Sequence, residues 1–336
     1  MLRRLLAAAF VLLAAAALLL IAWPQLLSLE RLPLVAQIVS LRAALAGGGL
    51  VLLLVVAILA IAVRRSRIVT GPLALLLALF VALNAGVLAL RGADQSPLAA
   101  EEEGDLTVMV WNTLGDEPGA EAIARLALDS GADIVVLPET SRGTAEEAAA
   151  VMAAEGRTMD ARSLWYDEIA IARTTSLLIS TELGPYERDA EAGETRTLPS
   201  FVMRPVDGTG PTIVAAHPVA PVPGEMSAWR QGLSWLADRC AEPDTIVAGD
   251  LNSTLDHYTS LGEGGGDLGT CRDAARAAGS GAVGTWPTDA PALLGAPIDH
   301  VLVSEGWEVR DVEVVTSLDG AGSDHRPVLA RLHPTG

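Results

Sequence analysis

In Ile246-Val247-Ala248-Gly249-Asp250-Leu251-Asn252 an apolar run closes on a glycine and then on two polar side chains spaced i and i+2. Such a run reads as a buried strand. The glycine lets the backbone turn tightly where the strand ends, and the spacing can aim Asp250 and Asn252 into one cleft. An Asx turn accounts for the same string taken alone.

Four further strings share this grammar. They are Val110-Trp111-Asn112-Thr113, Leu137-Pro138-Glu139-Thr140, Ala216-His217-Pro218 and Ser323-Asp324-His325-Arg326-Pro327. Each sets a polar residue at or just beyond the end of an apolar run, so all five can project from one rim of a packed sheet. Between them, β-branched runs alternate with Ala-rich helical ones, the mark of an α/β domain. The pattern predicts strands over 106–111, 133–137, 176–180, 200–204, 212–216, 245–248, 298–303, 308–315 and 328–332. It predicts helices over 120–129, 144–154 and 225–239, the last with Trp229, Leu233 and Leu236 on one face. The Gly-rich segments 261–269 and 279–284 read as loops, and neither has the lysine of a P-loop.

The first 93 residues have another composition. Leu5 to Ala22, Ala43 to Val63 and a third stretch within residues 71–91 are apolar, uncharged inside, and near the ~20 residues needed to cross a bilayer as helix. The first follows Arg3 and Arg4, as a signal peptide would. Its apolar run is longer than such a region needs, and Ala22-Trp23-Pro24 is a poor cleavage site, so it is read as retained. Arg3 and Arg4 precede the first span, and Arg64, Arg65 and Arg67 separate the second from the third. Basic loops stay cytoplasmic, so three spans deliver the rest of the chain to the outer face. Residues 94–105, with Glu101-Glu102-Glu103, read as an acidic linker, and 106–336 as the domain that carries the site.

Fifteen of the 23 basic residues and 40 of the 41 acidic ones lie beyond residue 93, so that part carries about −25, and the chain has no lysine. Such a field opposes long polyanions and disfavours nucleic acid as a partner, although bound cations can reverse it locally. Cys240 and Cys271 are the only cysteines, and in an oxidising compartment they can pair; two buried thiols are the alternative.

Glu139, closing its run after a proline, is placed to hold a hard cation such as Mg²⁺ through oxygen; an exposed loop glutamate is the plain alternative. Asn112 can hold either the metal or that carboxylate. Asp250 can orient or deprotonate water, and Asn252 can donate to a phosphoryl oxygen. His325 can donate to phosphate in its charged form, with Asp299, in Ile298-Asp299-His300, as the carboxylate that keeps it charged. His217 is a second candidate acid, for the leaving oxygen. His257 and His333 have no such setting, and His300 is read as packing.

Together and in this order the strings resemble the endonuclease/exonuclease/phosphatase family, over roughly residues 106–332. The resemblance implies a four-layer sandwich of two mixed β-sheets flanked by helices, here preceded by three transmembrane helices. It implies Mg²⁺, with Mn²⁺ or Ca²⁺ as alternatives, held by Asn112 and Glu139 with Asp324 as a further carboxylate. Asp250 then aligns the attacking water, Asn252 and His325 contact the phosphate, Asp299 orients His325, and His217 is the histidine of the middle strand. One departure stands out: Pro138 occupies a place where the family commonly has Gln, whose side-chain amide a proline cannot replace. The expectation is a multi-pass, outward-facing phosphoesterase acting on a phosphodiester, with a lipid headgroup or small phosphoester favoured. A surface nuclease of the same fold and a catalytically silent binding domain are the alternatives.

Overall fold

The computed structural model describes residues 1–167 and 169–335, which fall into two compact units, Met1–Leu90 and Arg91–Gly336. The first contains α1 (Leu2–Ala22), a short α2 (Val35–Val39), α3 (Arg42–Ala62) and α4 (Arg67–Arg91), the last introduced by a 3-10 turn at Arg64–Ser66. Three of these helices are long and apolar enough to cross a membrane. The Arg3 guanidinium donates to the Arg65 carbonyl at 2.6 Å, so the two basic clusters share one end of this unit. Arg42 is buried and donates to the Ala22 carbonyl and to Asn84 Oδ1, both at 3.0 Å, which satisfies a charge that apolar surroundings would otherwise expel.

The second unit holds twelve strands among the described residues: β1 (Leu106–Val110), β2 (Ile134–Pro138), β3 (Met159–Trp165), β4 (Thr174–Ser180), β5 (Tyr186–Arg188), β6 (Phe201–Pro205), β7 (Thr212–Ala216), β8 (Thr245–Asp250), β9 (Arg272–Asp273), β10 (Asp299–Val303), β11 (Trp307–Val314) and β12 (Val328–Pro334). They form two six-stranded mixed sheets, ordered β11-β12-β1-β2-β4-β3 and β5-β6-β7-β8-β10-β9. The helices are α5 (Gly119–Ser130), α6 (Arg142–Ala154), α7 (Met226–Arg239) and α8 (Ala274–Ala278).

The period-two rule explains the layering. Val108 and Val110 of β1 face the second sheet, where they join Ile213, Ile246 and Val301 in the central core. Met109 and Trp111 point the other way and pack on Ile123, Ala127, Ala148 and Met152 of α5 and α6. Strands buried on both faces carry apolar residues at nearly every position. On the far side α7 buries Trp229, Leu233 and Leu236. The small Ala faces of α5 and α6 allow those helices to lie close to the sheet.

The predicted strands and helices all form, with ends shifted by a residue or two, and both Gly-rich segments are loops. Four strands and helices of the second unit were not predicted. β3 (MDARSLW) is an edge strand interrupted by Asp160 and Arg162, so it lacks an apolar signature. β5, β9 and α8 are too short to show a period. Cys240, which ends α7, is bonded to Cys271, just before β9, with 5.2 Å between their Cα atoms.

Candidate active site

The strand ends bring the five strings to one edge of the sandwich. β7 and β8 run parallel with Ala216 beside Gly249, so His217 and Asp250 leave the sheet together. That approach requires glycine: at φ +149° a Cβ on Gly249 would lie 1.9 Å from the Ala216 carbonyl oxygen. β10 pairs antiparallel with β8 and sets Asp299 directly opposite Asp250. β1 pairs with β2 on one side and β12 on the other, which places Asn112, Glu139 and His325 around one another.

Hydrogen bonds then join the residues. Asn112 Nδ2 donates to Glu139 Oε1 at 3.1 Å and to Asp250 Oδ2 at 3.0 Å, while its Oδ1 accepts from the Leu114 amide. Asn252 Nδ2 donates to the same Asp250 Oδ2 at 3.2 Å and to the Pro218 carbonyl at 3.1 Å, and its backbone N–H donates to Asp250 Oδ1. His325 Nδ1 lies 2.8 Å from Asp299 Oδ2, and its Nε2 is 3.9 Å from both Asp250 Oδ2 and Asp324 Oδ1. His217 Nε2 is 3.8 Å from Glu139 Oε1. All eight residues expected at the site are thus within one contiguous cluster.

Two of them sit on unusual backbone. Glu139 and Asn252 have φ of +55° and +46°, a left-handed region that costs non-glycine residues on the order of 1 kcal/mol. Thr113 Oγ1 donates to the Glu139 carbonyl, the Glu139 amide donates to the Thr174 carbonyl, and Trp229 Nε1 donates to the Asn252 carbonyl. These bonds hold the two bends that turn the side chains inward.

Burial and mutual charge divide the protonation states. Burial works against a charge on His325, but Asp299, Asp250 and Asp324 outweigh it and raise the ring to about 10. Burial, then the neighbouring Asp299, pushes Asp250 up to about 7. Burial also raises Glu139, against the hydrogen bond from Asn112. His217 is fully buried, and burial brings it down to about 3. Burial thus favours the neutral ring at this position. Its nearest charged partner is Glu139, and its buried Nε2 makes no hydrogen bond.

Both amide hydrogens of Asn252 are engaged, by Asp250 and Pro218. Contact with a phosphoryl oxygen requires Asp250 to release one of them. Arg173 donates to the Thr197 carbonyl and lies 3.8 Å from Asp167.

Supporting residues escaped the sequence reading. Trp286 Nε1 donates to Asp324 Oδ2 at 2.9 Å, Thr285 Oγ1 accepts from the Asp299 amide, and Trp111 Nε1 donates to the His325 carbonyl. Ser323 Oγ donates to the Asn112 carbonyl at 2.6 Å and accepts from the His325 amide, bridging two strings 211 residues apart. Ser323 and Trp111 were inside the quoted strings; Trp286 and Thr285 had no local signal.

The donor set fits a hard cation. Asp250, Asp299 and Asp324 crowd round the His325 imidazolium while Glu139 lies against His217, and no arginine pairs with any of these carboxylates among the described residues. Buried Oδ1 atoms of Asp299 and Asp324 have no hydrogen-bond partner. Uncompensated carboxylate oxygens of this kind call for a divalent ion. Asp250, Asp299 and His325 also meet the spacing of a metal cluster.

Comparison with known proteins agrees. The model of the Endonuclease/Exonuclease/phosphatase family matches residues 109–325. An endonuclease/exonuclease/phosphatase from Bacteroides vulgatus is 18% identical, with 68% of this chain and 99% of that one covered and a TM-score of 0.53. One from Beutenbergia cavernae is 19% identical over 70% of this chain and 72% of that one, TM-score 0.51. A humanized D. rerio TDP2 is 15% identical over 69% and 100%, TM-score 0.53. At these identities the likeness is one of fold. No curated protein sequence matches the chain.

Proposed function

The chain belongs to the endonuclease/exonuclease/phosphatase family, and on that premise we propose that it is a membrane-anchored, Mg²⁺-dependent phosphodiesterase whose catalytic unit stands outside the cytoplasm. The observation that carries this reading is the unbroken chain of contacts from Asp299 through His325 and Asp250 to Asn112 and Glu139.

The residues divide the work as follows. Charged His325 points Nε2 into the cleft and donates to a phosphoryl oxygen, gaining strength as negative charge grows there. Asp299 keeps the ring charged and oriented. Asp250, near 7, is suited to accept a proton from the attacking water at neutral pH. Asn112 and Asn252 hold Asp250 in place. Glu139, Asn112 and Asp324 would hold Mg²⁺, or Mn²⁺ or Ca²⁺, which when bound neutralises phosphate charge and makes water easier to deprotonate.

Orientation follows from charge and redox chemistry. Both basic clusters lie at one end of the helical unit, so three spans carry the chain to the opposite face. The Cys240–Cys271 bond suits an oxidising compartment. A small phosphoester or lipid headgroup is favoured because the catalytic part carries about −25. DNA as an alternative substrate draws support from a similar fold, a Neisseria 3′ phosphatase solved with a product DNA hairpin.

The test is hydrolysis by the full chain in detergent. Bis(p-nitrophenyl) phosphate, phosphatidylcholine and plasmid DNA are assayed with Mg²⁺ and with chelator, beside Asp250→Ala and His325→Ala. Metal-dependent turnover lost in both variants supports the enzyme, and the preferred substrate chooses between lipid and DNA. A folded chain that turns over nothing and binds no Mg²⁺ overturns the reading in favour of a binding domain. External protease that fails to reach the catalytic unit in intact cells overturns the orientation.

A further inference from the structure

We propose that the rim of the candidate active site is an apolar lip that dips into a zwitterionic lipid surface and presents the site to phosphodiesters held in a bilayer, an inference that rests on the phosphodiesterase reading above. It comes from where the second unit leaves large apolar side chains exposed.

Leu114, Trp165, Ile169, Val222 and Trp286 are exposed, Ile169 by 92%. Each lies on a loop, or for Trp165 at the end of β3, tied to a site residue. The Leu114 amide donates to Asn112 Oδ1, and Trp286 Nε1 donates to Asp324. Trp165 pairs with Thr174, whose carbonyl accepts from the Glu139 amide, and Ile169 lies in the loop that joins those two strands. Val222 follows His217 and Pro218, and the Pro218 carbonyl accepts from Asn252. Leu293 and Leu294, also exposed, follow Trp286. Val206, in the turn before β7, is the exception at the other end of the sheet. A soluble surface scatters such residues singly; gathering them around one cleft marks a contact surface.

Two observations choose lipid as the occupant. The chain enters this unit at Arg91, which pairs with buried Asp256 at 2.9 Å and whose carbonyl accepts from the Gly281 amide. Asp256 lies four residues beyond Asn252, so the entry point is fixed on the loop that leaves the site. Leu90, immediately before it, belongs to a helix long and apolar enough to cross a membrane. The second observation is charge. With about −25 on this part of the chain, an anionic surface is repelled, whereas a phosphatidylcholine surface is not. Beside Trp165 lies a cavity of about 260 Å³, lined also by Ser141, Arg142, Asp167, Ile171 and Thr174.

The experiment uses the full chain, one copy per phosphatidylcholine nanodisc. Cys240 and Cys271 are bonded to each other, so Ile169→Cys supplies the only free thiol for a fluorescent label. Val206→Cys is the control. The label at 169 should be quenched several-fold more than that at 206 by nitroxide-bearing lipid, and less by aqueous iodide. Equal quenching by iodide at both positions overturns the proposal. So does protection from iodide without lipid quenching, which would mean a protein partner or a second copy. In parallel, Ile169→Asp, at a solvent-facing position, should lose roughly tenfold or more of turnover on a long-chain phosphodiester lipid and keep its turnover of bis(p-nitrophenyl) phosphate. Equal loss on both substrates overturns it. Should the unsubstituted chain hydrolyse neither, the phosphodiesterase reading falls, and the quenching pattern still decides the lip.

Discussion

Asp299 Oδ2 lies 2.8 Å from His325 Nδ1, in a pair that neither strand could form alone. β10 delivers the acid and the turn before β12 delivers the base. With this carboxylate and its neighbours holding the ring cationic up to about 10, loss of Asp299 lowers that ceiling. Asp299→Asn should therefore cut turnover roughly 10² to 10⁴-fold and move the alkaline limb of the pH profile to lower pH. A profile that falls in height without moving would show that Asp299 is only structural.

Asp250 carries the opposite linkage. Its folded value, about 7, exceeds the ordinary 3.8, so between those values the folded chain keeps a proton that the unfolded chain has released. Stability of the metal-free protein accordingly falls as pH rises through that window. Asp250→Asn should flatten this dependence and raise the denaturation midpoint at pH 8 in chelator, while turnover drops about 10³-fold or more. Melting curves at pH 5 and pH 8 check the first half.

Glu139 is a raised, buried carboxylate next to other carboxylates, and a divalent ion relieves that crowding. Mg²⁺ should raise the melting temperature of the unsubstituted chain, by an amount corresponding to about 3 kcal/mol at a hundredfold excess over Kd. In Glu139→Gln the rise should largely vanish. An undiminished rise would move the metal away from Glu139.

Gly249 has no room for a Cβ against the Ala216 carbonyl. Gly249→Ala should destabilise the catalytic unit by roughly 3 kcal/mol or more and shift Asp250 relative to His217. Chemical denaturation measures the first effect. A variant as stable as the original would mean that β7 and β8 can part without cost.

The Cys240–Cys271 bond closes a loop of 31 residues' separation. Reduction, or Cys240→Ala with Cys271→Ala, should cost roughly 4 kcal/mol in the chain-entropy model. Denaturation with and without reductant reads this directly.

The legible parts of this chain were those whose signal is local. Apolar runs that end in a polar residue marked β1, β2, β7 and β8, and with them Asn112, Glu139, His217 and Asp250. β3 stayed hidden because an edge strand needs polar residues on its open side, and Asp160 and Arg162 break its pattern. The neutral state of His217 was also illegible, since it depends on complete enclosure by other segments. Trp286 reaches Asp324 only because the fold brings together residues 38 positions apart. Local chemistry named the candidate residues; tertiary enclosure set their protonation and their partners.

The pairing of β1 with β12 has a consequence in time. Asn112 emerges early in synthesis, and the strand that follows His325 is what closes the sheet beside β1. Until that last strand is made, the first sheet has an open edge at its centre and the cleft lacks its imidazole. The nascent chain is thus chemically mute for over two hundred residues of elongation, and hydrolytic capacity arrives in a single late step.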